Sequence, residues 1–350
     1  MNMQEFLRTQ LEEGRAIGAF PAAAAAIGAG TQVLAEAFVG EAPLPGDTPV
    51  DRNTLWDMAS LSKILGPTML ALKAVEDGIW SLDTRVGDLY PEAPQDKSDI
   101  TVYQLMTHTA GFVPDFWLEE ECAGPDEALK AIFAHPLQGK PGEKPVYSCI
   151  GYILLGKMLE TLYGGRLMDI ARERVFLPLG MEDTCYCPRR RDRCAATEVD
   201  RTSGKPWIGI VHDENARFLR GNSGNAGVFM PLKDGEVFAG MLASGGGSFL
   251  KPETLELAGR NHTRGQAAHR GLGFQIAGIP DTFFGPDVPE TCFGHTGFTG
   301  TSLLVEPETG FYVLLLSNRV YPSRTSEALF AFRRHLHSLA WDKFRDMGLR

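Results

Sequence analysis

The chain has 350 residues, 43% of them hydrophobic, and a formal net charge of -10. That length and apolar content allow one large domain or two lobes with a sizeable core, and exclude a disordered chain. The acidic balance excludes a general polyanion binder, and no nucleic-acid partner is expected, because the one basic cluster (Arg189, Arg190, Arg191 and Arg193) reads as a solvated loop.

Residues 3 to 14 place Phe6, Leu7 and Leu11 on one side and read as an amphipathic helix. Propensity favours helix for Ala22 to Ala26. Gly28-Ala29-Gly30 nevertheless lies between that run and Gln32 to Val39, so both segments are read as strands of a hairpin. After Ser60 a helix is expected to about Asp77, stopping at Gly78, with a kink at Pro67 where a backbone donor is missing. Thr101 can cap a short helix that ends near Thr107-His108-Thr109-Ala110-Gly111. Ser148 can cap a longer one with Ile150, Ile153, Leu154 and Met158 on one face, ended by Gly164-Gly165. A helix from Leu167 to Val175 precedes Pro178-Leu179-Gly180-Met181, and a long irregular stretch from Cys185 to Gly227 follows; loops of that length are uncommon unless functional. Gly271 to Ala277, Thr301 to Val305 and Phe311 to Leu316 have strand character, the last two joined by a hairpin loop over Glu306 to Gly310. Thr325 to Met347 closes the chain as a helix.

Helix-plus-strand material thus sits at both ends and helices dominate the middle. The expected fold class is α+β: a single domain over 1–350, with an antiparallel sheet and flanking helices in one lobe (approximately 1–65 and 230–350) and a mainly helical lobe (approximately 66–229). Cys122, Cys149, Cys185, Cys187, Cys194 and Cys292 form no disulfide framework in a chain this long and read as free thiols. Acidic Glu5, Glu12 and Glu13 precede the alanine run where a secretory signal would be basic, so a cytoplasmic location is expected. No apolar run reaches the roughly 18 residues that span a bilayer, and membrane insertion is not expected.

Chemistry concentrates at three places. In Ser60-Leu61-Ser62-Lys63 the serine and lysine are three residues apart, one helical turn, so the amine can reach the hydroxyl. A serine needs a base beside it, and a lysine serves as one when its surroundings lower its pKa. Tyr147 lies just before a helix cap, where its hydroxyl could enter a cleft and relay protons. In His295-Thr296-Gly297 the glycine would let a substrate lie close to the backbone.

In that order these segments resemble the three motifs of the serine β-lactamase and penicillin-binding-protein-like hydrolases, whose first and third elements are SxxK and KTG. The chain is most similar to the class C β-lactamase-like group, which includes esterases and D-peptide hydrolases. Supporting segments are Leu82-Asp83 with Val86, Leu105 to Gly111, Gly151 to Gly156, and Pro178 to Met181. The resemblance implies a two-lobed β-lactamase/DD-peptidase-like fold. It implies Ser60 as the nucleophile of an acyl-enzyme, Lys63 as the acceptor of its proton, and Tyr147 as the relay to the leaving group. It also implies an oxyanion hole from the backbone N–H groups of Ser60 and Phe298, substrate contacts from Cys149, His295, Thr296 and Gly297, and no metal or other cofactor.

Two positions depart from the family. The second motif ends in Cys149 rather than asparagine, and a thiol is a weak donor and weak acceptor. The third begins with His295 rather than lysine, and an unperturbed histidine is mostly neutral at pH 7. Strong β-lactamase activity is therefore not expected. The implied substrate is a small ester, amide or D-amino-acid peptide. The alternatives are a weakly active penicillin-binding or β-lactamase-like protein, or a non-turnover binding or regulatory module. The oligomeric state is not legible. Val211 to Ala216 with Gly224 to Gly227 resembles a segment bordering the cleft in these hydrolases. Cys185, Cys187 and Cys194 fit no common zinc spacing, and His335 and His337 lie two apart, off a shared helical face.

Overall fold

A computed structural model describes residues 1–280 and 282–348. Its centre is a six-stranded antiparallel sheet of β1 (Ala23–Ala29), β2 (Gln32–Val39), β3 (Gln275–Ile276), β4 (Phe293–Thr296), β5 (Ser302–Glu306) and β6 (Phe311–Ser317), in the order β2-β1-β6-β5-β4-β3. The alanine run is a strand against its propensity because it pairs on both sides, Ala25 with Leu315 of β6 and with Ala37 of β2. Pairing commits its backbone groups to the ladder, and burial on both faces favours small side chains.

Strand alternation splits the apolar residues between two layers. Ala23, Ala25, Ile27, Val313 and Leu315 pack with Leu7 and Leu11 of the Met3–Ala16 helix and with Phe332 and Leu336 of the Ala328–Asp346 helix. Ala24, Ala26, Leu314 and Leu316 face a second core that includes Phe238 and Leu242 of the Leu232–Ala243 helix and continues through Leu154, Leu155 and Met158. Truncating a fully buried residue such as Leu314 to alanine is expected to cost about 2–5 kcal/mol.

The helix expected from Ser60 is not one kinked helix. A short 3-10 turn (Ala59–Leu61) leads into Ser62–Leu65, Gly66 leaves helical geometry (φ -108, ψ -83), and Pro67 opens a separate helix, Pro67–Glu76. Proline suits a first helical position, where its missing N–H has no intrahelical partner. Ahead of it, Trp56–Asp57 pairs with Val228–Met230, which pairs with Cys185–Tyr186, so the stretch from Cys185 to Gly227 hangs from a small sheet beside Ser60. Ser148 caps the Cys149–Tyr163 helix by accepting the Gly151 N–H at 3.1 Å, and Gly164 ends it at φ 71. The helix from Leu167 is α-helical to Ala171 and π-helical from Arg172 to Phe176. Only Gln275–Ile276 of the strand expected over 271–277 forms, because Gly273 turns left-handed (φ 85). His295 and Thr296 end strand β4. Among the described residues no helix is long and apolar enough to cross a membrane.

Candidate active site

Two turns deliver the first two motifs to one point. Lys63 Nζ donates to Ser60 Oγ at 3.1 Å, to the Asn225 carbonyl at 2.8 Å and to Cys149 Sγ at 3.5 Å, so the three ammonium protons have three acceptors. The Lys63 side chain is fully buried. Tyr147 lies against it, with Nζ 5.0 Å from the ring centroid, and Lys63 and Ser60 both interact with its phenol. The structure therefore brings Ser60, Lys63, Tyr147 and Cys149 together.

The expected depression of the lysine pKa is not met. Burial disfavours the Lys63 ammonium, but its attraction to Cys149 and Tyr147 in their ionised forms, and to Asp213, more than offsets that, so the amine titrates above the ordinary lysine range. Burial raises Tyr147, opposed by Lys63. Burial pushes the Cys149 thiol up to about 11. At neutral pH the resting cluster thus contains an ammonium, a phenol and a thiol. Cys149 is no poised thiolate, since reactive cysteines have lowered pKa values.

The third motif reaches the serine through its turn. Thr299 Oγ1 donates to the Asp57 carbonyl at 2.7 Å and Thr301 Oγ1 to the Met58 carbonyl at 3.1 Å, tying the segment after His295-Thr296-Gly297 to the residues just before Ser60. The protein itself requires Gly297: a Cβ there would lie 2.4 Å from the Met58 carbonyl oxygen and 2.1 Å from Thr301 Oγ1. Phe298 is exposed, its carbonyl accepts from Arg319 Nε at 2.9 Å, and its ring stacks on His212 at 5.7 Å.

His295 is buried and stays neutral, because burial, then Lys63 and Arg270, lower its pKa to about 3. Its Nδ1 hydrogen-bonds the Thr296 carbonyl at 2.8 Å, which makes that nitrogen the donor and leaves Nε2 an unpartnered acceptor. Sequence reasoning passed over two groups beside it. Arg270 is 9% exposed, sits 5.3 Å from the Tyr147 ring centroid, and has no partner for Nε or Nη1 among the described residues. The His108 ring lies tilted against Tyr147, centroids 4.6 Å apart; its Nδ1 accepts the Ser148 N–H at 3.1 Å, so Nε2 carries the proton and has no partner among the described residues. Buried polar groups left unpaired in this way cost free energy unless a ligand or water satisfies them. No spacing in the sequence marks Arg270. His108 lies inside a family-like segment but carried no assigned role.

Asp115, Cys149 and Asp213 bring potential ligand atoms within 4.8 Å of one another. The donor set does not suit a cation: the Lys63 ammonium already touches the thiol, which is held protonated, and Asp213 accepts from Ala216 N and Asn225 Nδ2. Neither does His212 with Glu214 form a metal pair, because His212 Nε2 faces Glu198 at 3.1 Å and Arg324 bridges Glu198 and Glu214.

The Beta-lactamase family profile matches residues 7–337. The chain belongs to the Beta-lactamase family. It is a β-lactamase and penicillin-binding-protein type serine hydrolase at that level of description. Among sequence relatives, an Escherichia coli K12 protein named "Putative D-alanyl-D-alanine carboxypeptidase" is 29% identical over 304 residues, covering 76% of this chain and 69% of its own. Two solved structures share the fold. A penicillin-binding protein homolog from Caulobacter crescentus aligns with TM-score 0.76 at 22% identity over 96% of both chains. EstCE1, described as a hydrolase with promiscuous acyltransferase activity, aligns with TM-score 0.77 at 20% identity, over 95% of this chain and 98% of its own.

Proposed function

We propose that this Beta-lactamase family protein hydrolyses a small ester, or an amide or D-amino-acid peptide bearing a carboxylate, through an acyl-enzyme on Ser60. The observation that carries the reading is the buried Lys63 amine 3.1 Å from Ser60 Oγ with the Tyr147 ring centroid 5.0 Å from the same amine. Lys63 and Tyr147 act as a pair. Once the pair has lost one proton, whichever atom gave it up, it takes the Ser60 hydroxyl proton as Oγ bonds to the substrate carbonyl carbon. The backbone N–H groups of Ser60 and Phe298 receive the developing oxyanion. The leaving group departs with a proton from Tyr147, and a water deprotonated by the same pair then cleaves the acyl bond.

Arg270 supplies the fixed positive charge that neutral His295 lacks, and with the His108 Nε2–H it offers donors to a carboxylate. The name of the E. coli relative supports including D-alanyl peptides. Cys149 lacks the amide that would hold an acylamido carbonyl, which argues for esters and simple peptides over β-lactams.

The test is turnover of p-nitrophenyl esters, a chromogenic cephalosporin, and a D-alanyl-D-alanine peptide beside its C-terminal amide, with Ser60→Ala alongside. The peptide acid should be preferred over its amide at least tenfold, and Ser60→Ala should be inactive on all. Full activity of Ser60→Ala, or no discrimination between acid and amide, contradicts the respective parts of the reading.

A further inference from the structure

We propose that Asp57 is a positioning residue that fixes the turn presenting Ser60 and ties it to both neighbouring walls of the cleft; this rests on Ser60 being the nucleophile. Ala59, directly before the serine, has φ 44, a left-handed conformation that a residue with a Cβ adopts at a cost. What holds it there is the Asp57 carboxylate. Oδ1 accepts the Ala59 N–H at 2.8 Å, and Oδ2 accepts the His212 N–H at 2.7 Å. The backbone carbonyl of the same residue accepts Thr299 Oγ1 at 2.7 Å. One side chain and its own peptide therefore connect the Ser60 turn, the segment leading through Asp213 to Asn225 and Lys63, and the turn bearing Phe298.

The carboxylate is 3% exposed and has no ion-pair partner among the described residues. Arg217, the nearby cation, instead donates to the Val211 and His212 carbonyls. A buried carboxylate that accepts two backbone N–H groups from two segments needs both oxygens as acceptors. Asparagine keeps the shape but turns an NH2 group toward one of those N–H donors. Burial, opposed by those two N–H groups, raises the carboxyl to about 6, and Asp213, Arg217 and Cys194 are the ionisable groups facing it. Protonation removes acceptor strength from both bonds at once.

The experiment is the pH-rate profile of p-nitrophenyl acetate hydrolysis for wild type, Asp57→Asn and Ser60→Ala, with circular dichroism at each pH. Asp57→Asn should lower kcat about 30–100-fold with KM within about threefold, the signature of a displaced reacting group. In wild type the slope of log kcat against pH should steepen from one to two below about pH 6, while the fold signal stays constant; in Asp57→Asn it should stay at one. Asp57→Asn with wild-type kcat, or a wild-type slope that does not steepen, overturns the proposal. Asp115 is raised to about 6 as well, so the steepening counts only where the Asp57 variant loses it; should Asp57→Asn not fold, Asp57→Glu takes its place, and a wild-type kcat in it overturns the proposal. Activity surviving in Ser60→Ala would instead overturn the nucleophile assignment.

Discussion

Arg270 lies over the face of Tyr147, its guanidinium carbon 5.3 Å from the ring centroid, with Nε and Nη1 buried and unpartnered. A buried cation on an aromatic face with two guanidinium nitrogens unpartnered among the described residues is ready for an anion. Arg270→Met should therefore weaken carboxylate-bearing substrates selectively. The expected loss in kcat/KM is about 10–100-fold for a D-alanyl-D-alanine peptide, matching roughly 1.5–3 kcal/mol for a charge-assisted hydrogen bond. A neutral p-nitrophenyl ester should change less than about threefold. Equal losses on both substrates would assign Arg270 to structure alone.

The protonation state of the Lys63 and Tyr147 pair sets the pH dependence. Both pKa values are raised, so the pair holds both protons at neutral pH. The form that accepts the serine proton appears as one is lost, and kcat/KM should rise about tenfold per pH unit from pH 6 to 8 without a plateau below pH 9. Tyr147→Phe should lower kcat by about 10²–10⁴. A profile flat from pH 6 upward would mean that a free base already exists in the resting enzyme.

Cys149 should behave as a half-buried contact of Lys63 and not as a nucleophile. Its thiol, pushed up to about 11 by burial, is protonated at pH 7.5. Peptide mapping after iodoacetamide at that pH should show the exposed Cys187 labelled before Cys149. Cys149→Ser keeps an acceptor for the Lys63 ammonium, and kcat should stay within about tenfold of wild type. Rapid inactivation with label on Cys149 would contradict this assignment.

The local parts of this site were legible because they depend on short spacings. Ser60 and Lys63 share a turn, Ser148 caps its helix by a three-residue reach, and glycines mark the β1–β2 hairpin. What needed the fold was anything set by distant pairing. Strand β4 is four residues long and includes Gly294, so only its ladder with β5 shows that His295 sits in a sheet. The Leu232–Ala243 helix carries two glycines, and Gly235 is there because a Cβ would fall 2.5 Å from Leu314 Cδ2 on the sheet. Asp57 and Arg270 acquire their surroundings from segments far away in sequence, and neither belongs to a spacing that a reader of the chain would test.

Stability should fall as pH rises past the carboxylate range, for a reason remote from the site. Glu236 is raised to about 8 by burial and by Glu36 beside it, opposed by Arg52, which donates to it at 2.9 Å. The folded state thus holds a proton that the unfolded chain releases near pH 4.5. A raised carboxyl contributes stability that is complete below the unfolded pKa and is lost as pH climbs to about 8. Glu236→Gln removes that dependence, and its Tm at pH 9 should exceed that of wild type by ~2 °C, with no gain at pH 4. Parallel Tm curves for the two proteins across that range would refute it.

The most direct measurement is intact-mass spectrometry of the protein quenched in acid during turnover of a p-nitrophenyl ester, followed by peptide mapping. Wild type should carry one added acyl group on the peptide containing Ser60, and Ser60→Ala none. An acyl group on Cys149, or an acylated and active Ser60→Ala protein, would contradict the Ser60 assignment.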